Sequence, residues 1–222
     1  MIGLTESLFP ADLRAKMSDL LPGGRVVHFP AREPLFFEGD ESDHIAIILQ
    51  GVVKITVSTS RGREALLALR GAGEIVGELG ALYGKPRSAT VRALSVVTVR
   101  VVPASTFRQR LREDPGALFA VLEAIAERLR ESDRRRIEFT GFEVIDRVAF
   151  LLAELARTHG IRAGEREVEI GLKLTQAEIA GATGASLDAA AKAFRELRDQ
   201  GLVRTARQKI IVLDPAKLRS AL

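Results

Sequence analysis

The chain has 222 residues, 46% of them hydrophobic and 28% charged, a formal net charge of +4 and no cysteine. That length suits one large or two small domains, each with a real core, and the composition belongs to a globular chain rather than a disordered one. The missing cysteines exclude disulfides, thiolate zinc sites and cysteine-ligated iron–sulfur clusters, and no apolar run approaches the roughly 18 residues needed to cross a bilayer.

The basic balance is mostly arginine, which favours a polyanionic partner or reflects codon usage; charge alone does not separate the two. His28, His44 and His159 are scattered, with no His-x-x-x-His pair and no carboxylate at metal-ligand spacing, so each reads as a surface or structural histidine and no metal site is expected. The first 21 residues mix acids and bases through their apolar positions. They read as a short amphipathic helix rather than a signal peptide, and the expected compartment is the cytoplasm.

From about Gly24 to Val102 short alternating apolar stretches are broken by Gly, Asp and Pro: RVVHFP, PLFFEGD, IAIILQG, VVKITVST, EALLALRGAGE, ATVRAL and VVTVRVV. Strands of this length between turn signals, with turns after Gly39, at Gln50-Gly51 and at Ser60-Arg61-Gly62, predict an antiparallel roll or barrel. Within it, Glu74 to Ala93 reads EIVGELGALYGKPRSATVRA. A strand delivering Val76-Gly77-Glu78, a short helix over Leu79–Tyr83, and Arg87-Ser88-Ala89-Thr90 feeding the next strand would form a concave cassette. Backbone N–H groups at a helix start can cradle phosphate, Arg87 can neutralise it with a forked donor, and Gly77 permits close approach. Glu78 cannot serve phosphate but suits sugar hydroxyls, so the set points to a nucleotide. The structural alternative is a buried Glu78–Arg87 ion pair that closes the roll.

After Pro103 the pattern turns helical. Leu118, Leu122, Ile125, Leu129 and Ser132 fall at steps of four and three, a heptad stripe narrow enough to close against a matching helix. A second copy of the chain is the simplest partner, and packing on the chain's own roll is the alternative. Arg134, Arg135 and Arg136 read as a solvated face. Thr140-Gly141-Phe142 is expected to break the helix as a hinge. Beyond it, Ile145, Val148, Leu152 and Leu155 mark a helix packing into a second core, and REVEIG a short strand.

Leu174 to Val203 carries two helices around a tight turn. Thr175 with Glu178 makes a capping box, Gly184 supplies the turn, Ser186 caps the second helix and Gly201 stops it. Ala177, Ile179, Ala180, Leu187 and Phe194 are expected between the helices, and VRTARQKIIVLD follows as two strands around a basic turn, a wing. Docked in a major groove, such a helix-turn-helix would turn Ser186, Leu187, Asp188, Ala191 and Lys192 toward base edges. Asp188 could accept from cytosine and Lys192 donate to guanine, while Arg195, Arg204, Arg207 and Lys209 suit phosphates. A helical hairpin for protein contacts is the alternative.

The cassette VGELGALYGKPRSATVRA, the earlier FFEGDESDHIAIILQG, the long helix and the C-terminal helix-turn-helix together resemble the CRP/FNR family of bacterial transcription regulators over almost the whole chain. The resemblance implies an α+β fold: an N-terminal antiparallel β-roll of the double-stranded jelly-roll type, a long dimerisation helix and a C-terminal winged helix-turn-helix. Its implied domains are residues 1–110, a cyclic-nucleotide-binding roll with a short N-terminal helix; 111–140, the dimerisation helix; and 141–222, the DNA-binding domain.

It implies that Glu78 takes the ribose 2′-hydroxyl and that Arg87 and Ser88 take the cyclic phosphate. Gly77, Leu79 and Ala89 line the same site, and Ser132 and Asp133 meet the base, one from each subunit. Asp133 stands where Ser, Thr or Asn is usual in the family, and a carboxylate can accept from adenine or from guanine, so cAMP is expected ahead of cGMP. Thr175 joins the DNA-facing set. Leu187 stands where the family often has Arg, so a guanine contact is missing there, and either the operator differs from the family's common half-site or specificity is weaker. The expected protein is a homodimeric regulator bound by a cyclic nucleotide as effector, with double-stranded DNA as partner and RNA polymerase a candidate one. No membrane partner and no cofactor are expected. Rivals are the same architecture with another effector or none, and a cyclic-nucleotide sensor acting through protein contacts. No nucleophile or metal set lies near Glu78 and Arg87, so catalysis is not expected.

Overall fold

The computed structural model describes Asp19, Leu21, residues 23–58 and residues 64–220. Apart from Asp19 and Leu21, the expected N-terminal helix lies outside the described residues, as does the Ser60-Arg61-Gly62 turn. The chain divides into two compact units, and the division falls within the long helix after Arg130.

The first unit contains eight strands among the described residues: β1 (Arg25–Phe29), β2 (Pro34–Phe36), β3 (His44–Gln50), β4 (Val53–Ser58), β5 (Glu64–Arg70), β6 (Ile75–Val76), β7 (Thr90–Ala93) and β8 (Val97–Pro103). They form two antiparallel four-stranded sheets, in the orders β1-β8-β3-β6 and β2-β7-β4-β5. Phe36, Ala46, Ile48, Val53, Val91, Ala93, Val97 and Val99 form one core drawn from both sheets. Ile45 and Ile47, the alternate residues of β3, point the other way into a second core with Phe107, Leu111 and Val121. β3 is thus buried on both faces, which is why HIAIILQ reads as a continuous apolar run rather than an alternation.

Between and after the strands this unit carries the helices α1 (Glu78–Tyr83), α2 (Ala104–Glu113) and the first half of α3 (Pro115–Gly141). On α3 the residues buried against the roll are Ala117, Ala120, Val121 and Ala124, whose small side chains let the helix lie close. The Leu stripe is turned away: Leu118, Leu122 and Leu129 are 46%, 56% and 62% exposed. Packing of that stripe on the chain's own roll is therefore overturned. Ile125 alone of the stripe is half-buried against the core.

In the second unit, α3 continues through Thr140 and Gly141, so the break comes later than expected, at Phe142–Glu143. It falls there because Glu143 caps the next helix, α4 (Val144–His159), in a reciprocal capping box with Asp146. Phe142 packs edge-on against Phe150 at 5.5 Å. Val148, Leu152 and Leu155 of α4 are fully buried as expected, and Ile145 is half-buried.

Strands β9 (Gly160–Arg162), β10 (Val168–Ile170), β11 (Val203–Ala206) and β12 (Lys209–Val212) form an antiparallel sheet in the order β11-β12-β10-β9. Helices α5 (Gln176–Ala182), α6 (Leu187–Asp199) and α7 (Pro215–Ser220) complete the unit.

Candidate functional site

The cassette begins where β6 ends. Gly77 has φ of 83°, and a Cβ there would lie 2.3 Å from Nη1 of Arg87, so both conformation and space require glycine. Glu78 opens α1, and Gly80 in its middle admits the Ser42 hydroxyl, which would lie 2.0 Å from a Cβ. Gly84, again left-handed, ends the helix. The returning chain is then pinned to the Gly39–Asp40 turn: the Arg87 N–H donates to the Asp40 carbonyl at 2.8 Å and the Gly39 N–H to the Arg87 carbonyl at 2.9 Å.

These backbone bonds carry the Arg87 side chain inward, where the residue is 3% exposed. Its guanidinium lies over the Phe36 ring at 4.1 Å, and Nη1 donates to the Gly77 carbonyl at 3.1 Å. Nε and Nη2 find no hydrogen-bond partner among the described residues. Burial pulls the Arg87 pKa below its ordinary value, against the opposing fields of Asp43, Asp40 and Glu78. Arginine nonetheless stays charged, so two buried donor nitrogens on a cation lack an acceptor among the described residues. That arrangement fits an anion with several oxygens, and a phosphate in particular.

Glu78 is also buried, at 4% exposure, but it does not pair with Arg87. Its Oε1 meets Nη1 of Arg128 on α3 at 2.5 Å, and Nη2 of Arg128 donates to the Ile75 carbonyl at 2.6 Å. The alternative of a closing Glu78–Arg87 ion pair is thus overturned, and Arg128 is a residue of the site that the sequence reading missed. It sits one position before Leu129, in a helix read for its apolar stripe. Ser88 is exposed beside Arg87, Ala89 is buried and Leu79 is 42% exposed. Ser132 and Asp133 are exposed on α3 beyond the division between the units, and belong to the second.

The second unit holds the helix-turn-helix. The Glu178 N–H donates to Oγ1 of Thr175 at 3.2 Å and the Thr175 N–H to Oε2 of Glu178 at 2.7 Å, the expected capping box. Gly184 has φ of 62° in the turn, and Oγ of Ser186 accepts from the Ala189 N–H at 3.1 Å. Ile179, Ala180 and Phe194 fill the wedge, with Ala182, Ala190, Ala193 and Leu197. Two expected wedge residues do not join them: Ala177 is exposed, and Leu187 is 48% exposed. With Ala190, Ala193, Phe194 and Leu197 inward, helical periodicity turns Asp188, Lys192 and Arg195 to the opposite face and leaves Ala191 half-buried at its edge, while Leu187, one turn before Ala190 on the inward side, is exposed at the start of the helix.

The wing is a hairpin turning at Arg207-Gln208, where Gln208 has φ of 56°. Arg195 and Arg207 are exposed without an ion-pair partner among the described residues. The other candidate cations have one: Lys192 lies 3.6 Å from Glu196, Arg204 2.9 Å from Glu167 and Lys209 2.6 Å from Glu169.

Comparison with known proteins matches both halves. Residues 26–114 match the cyclic nucleotide-binding domain family, and residues 146–221 the Crp-like helix-turn-helix domain family. The chain is 28% identical over 216 residues to a CRP-like cAMP-activated global transcriptional regulator of Mycobacterium tuberculosis, covering 97% of this chain and 94% of that one. It is 28% identical over 189 residues to the cAMP-activated global transcriptional regulator Vfr of Pseudomonas aeruginosa, covering 83% and 87%. Among solved structures, a CRP/FNR-family transcriptional regulator from Thermus thermophilus superposes with a TM-score of 0.76 at 26% identity, over 88% of this chain and 97% of that one. The c-di-GMP-responsive global regulator CLP of Xanthomonas campestris shares the fold, with a TM-score of 0.78 at 22% identity over 90% and 99%.

Proposed function

The chain belongs to the CRP/FNR family of transcription regulators, with a cyclic nucleotide-binding domain and a Crp-like helix-turn-helix, and from that premise we propose that it binds cAMP and, as a homodimer, operator DNA. The observation that carries the ligand reading is Arg87: a buried cation with Nε and Nη2 unpaired among the described residues, behind a glycine that admits close approach. Arg87 and Ser88 would hold the cyclic phosphate. Glu78 would accept the ribose hydroxyl, with Gly77, Leu79 and Ala89 around it, and Ser132 and Asp133 would meet the base. The ligand contributes the charge and the hydroxyl; this chain's part is to place donors and an acceptor for them.

The exposed stripe of Leu118, Leu122 and Leu129 supports a second copy along α3, since a face this apolar and narrow suits a coiled-coil partner. The outward residues of α6, Asp188, Lys192 and Arg195, support the DNA reading, and the exposed Leu187, where the family often has Arg, would offer apolar contact to a thymine methyl, with Ala191 small enough for close approach. We place the protein in the cytoplasm, with RNA polymerase as a further partner. Among the described residues no helix is long and apolar enough to cross a membrane. The family consists of regulators, not enzymes.

Calorimetric titration with cAMP, cGMP and cyclic di-GMP tests the ligand, and retention of a random duplex in a gel, with and without cAMP at low salt, tests the DNA reading. Saturable cAMP binding with cAMP-dependent retention is the expected result. Binding of a nucleotide without retention of any duplex would favour a sensor that acts through protein contacts.

A further inference from the structure

We infer, on the strength of the cyclic-nucleotide reading above, that His44 is a positioning residue: it holds the Asp43 carboxylate off Arg87 and so keeps the Arg87 donors open to an incoming phosphate. A buried guanidinium with acids nearby is expected to close onto the nearest one in a charge-assisted bond. Three acids act on Arg87, namely Asp43, Asp40 and Glu78. Two of them are held elsewhere. Glu78 is held by Arg128, and Oδ2 of Asp40 accepts the Phe37 N–H at 2.9 Å within its own turn.

Asp43 is the acid with freedom to move, its side chain being 75% exposed. Its Oδ1 lies 2.5 Å from Nδ1 of His44 and 3.6 Å from Nη2 of Arg87. The first distance is a short hydrogen bond; the second is too long for one. One oxygen thus faces both groups and is taken by the histidine. The clamp is itself anchored, because the His44 ring packs edge-on against Phe36 at 6.1 Å, the same ring that carries the Arg87 guanidinium on its face. Remove the imidazole, and about 1 Å of motion at an exposed carboxylate would let Asp43 close on Nη2. A phosphate would then have to displace an anion rather than meet open donors.

The test is calorimetric titration of the full chain with cAMP and cGMP, following the tighter of the two, in wild type, His44→Ala, His44→Asn, Asp43→Asn and the His44→Ala/Asp43→Asn double variant. His44→Ala should weaken binding by roughly tenfold, a loss of the size expected when a charged competitor is released. His44→Asn keeps an N–H donor and should bind nearly as wild type does. Asp43→Asn and the double variant should bind at least as tightly as wild type, because no competing charge remains. All five should unfold at similar temperatures without ligand. The inference is overturned if His44→Ala binds like wild type, or if the double variant stays as weak as His44→Ala. Failure of wild type to bind either nucleotide would overturn the cassette reading itself, a result distinct from both.

Discussion

The carboxylate of Glu78 and the guanidinium of Arg128 meet across fifty residues of sequence, 2.5 Å apart, with Arg128 also bonded to the Ile75 carbonyl at 2.6 Å. The cassette is thereby tied to the long helix by a nearly buried ion pair. The pair uses Oε1, so Oε2 of the same carboxylate is the natural acceptor for a ribose hydroxyl under the proposed function.

Arg128→Met should destabilise the ligand-free protein by roughly 3 kcal/mol, because it strands a buried carboxylate rather than merely deleting a bond. The Glu78→Gln/Arg128→Met pair should recover much of that loss. Denaturant unfolding of the two variants beside wild type checks both statements, and equal stability of Arg128→Met and wild type would contradict them.

Arg87→Leu should behave in the opposite way. It removes a cation whose Nε and Nη2 are unmatched, so the fold should lose no more than about 1 kcal/mol while cyclic-nucleotide binding disappears. Titration and thermal unfolding of the same sample separate the two effects.

The Leu stripe gives a prediction about assembly. Leu122→Glu with Leu129→Glu alters residues that are 56% and 62% exposed in the single chain. Sedimentation should show a dimer converted to a monomer, while the unfolding of the roll changes by less than about 0.5 kcal/mol per substitution.

How far these features could be read from the sequence depended on how local their causes were. The helix-turn-helix was legible because its caps are three-residue devices: Thr175 with Glu178, and Ser186 with the Ala189 N–H. The roll was legible from its strand lengths and turns. The need for glycine at Gly77 was legible, but its reason, the approach of Arg87, was not. Nor was the partner of Glu78, since nothing near the cassette points to a residue fifty positions away. Reading α3 for its heptad stripe found the exposed Leu face and overlooked the alanine face that binds the roll. The same apolar logic put Leu187 in the wedge; it lies on the side of Ala190 and Phe194, but as the first residue of α6 it stays 48% exposed.

His159 supplies a pH dependence. Burial lowers its pKa below the usual 6.5, more than the nearby Glu154 raises it. The folded protein therefore resists the proton that the unfolded chain accepts. The stabilising difference is complete above about pH 6.5 and is lost as pH falls below it toward the folded value. Thermal unfolding should show lower stability at pH 5.5 than at pH 7.5, and His159→Gln should flatten that part of the profile; an unchanged slope would exclude His159 as its source.

Glu167, Glu169 and Glu196 act as built-in counterions for Arg204, Lys209 and Lys192. Under the DNA reading, each phosphate contact made by these cations exchanges one anion for another instead of satisfying a bare charge. Random duplex should gain little from such trades, and retention should depend less steeply on salt than the number of basic side chains suggests. Dwell time would then rest on base edges rather than on the backbone.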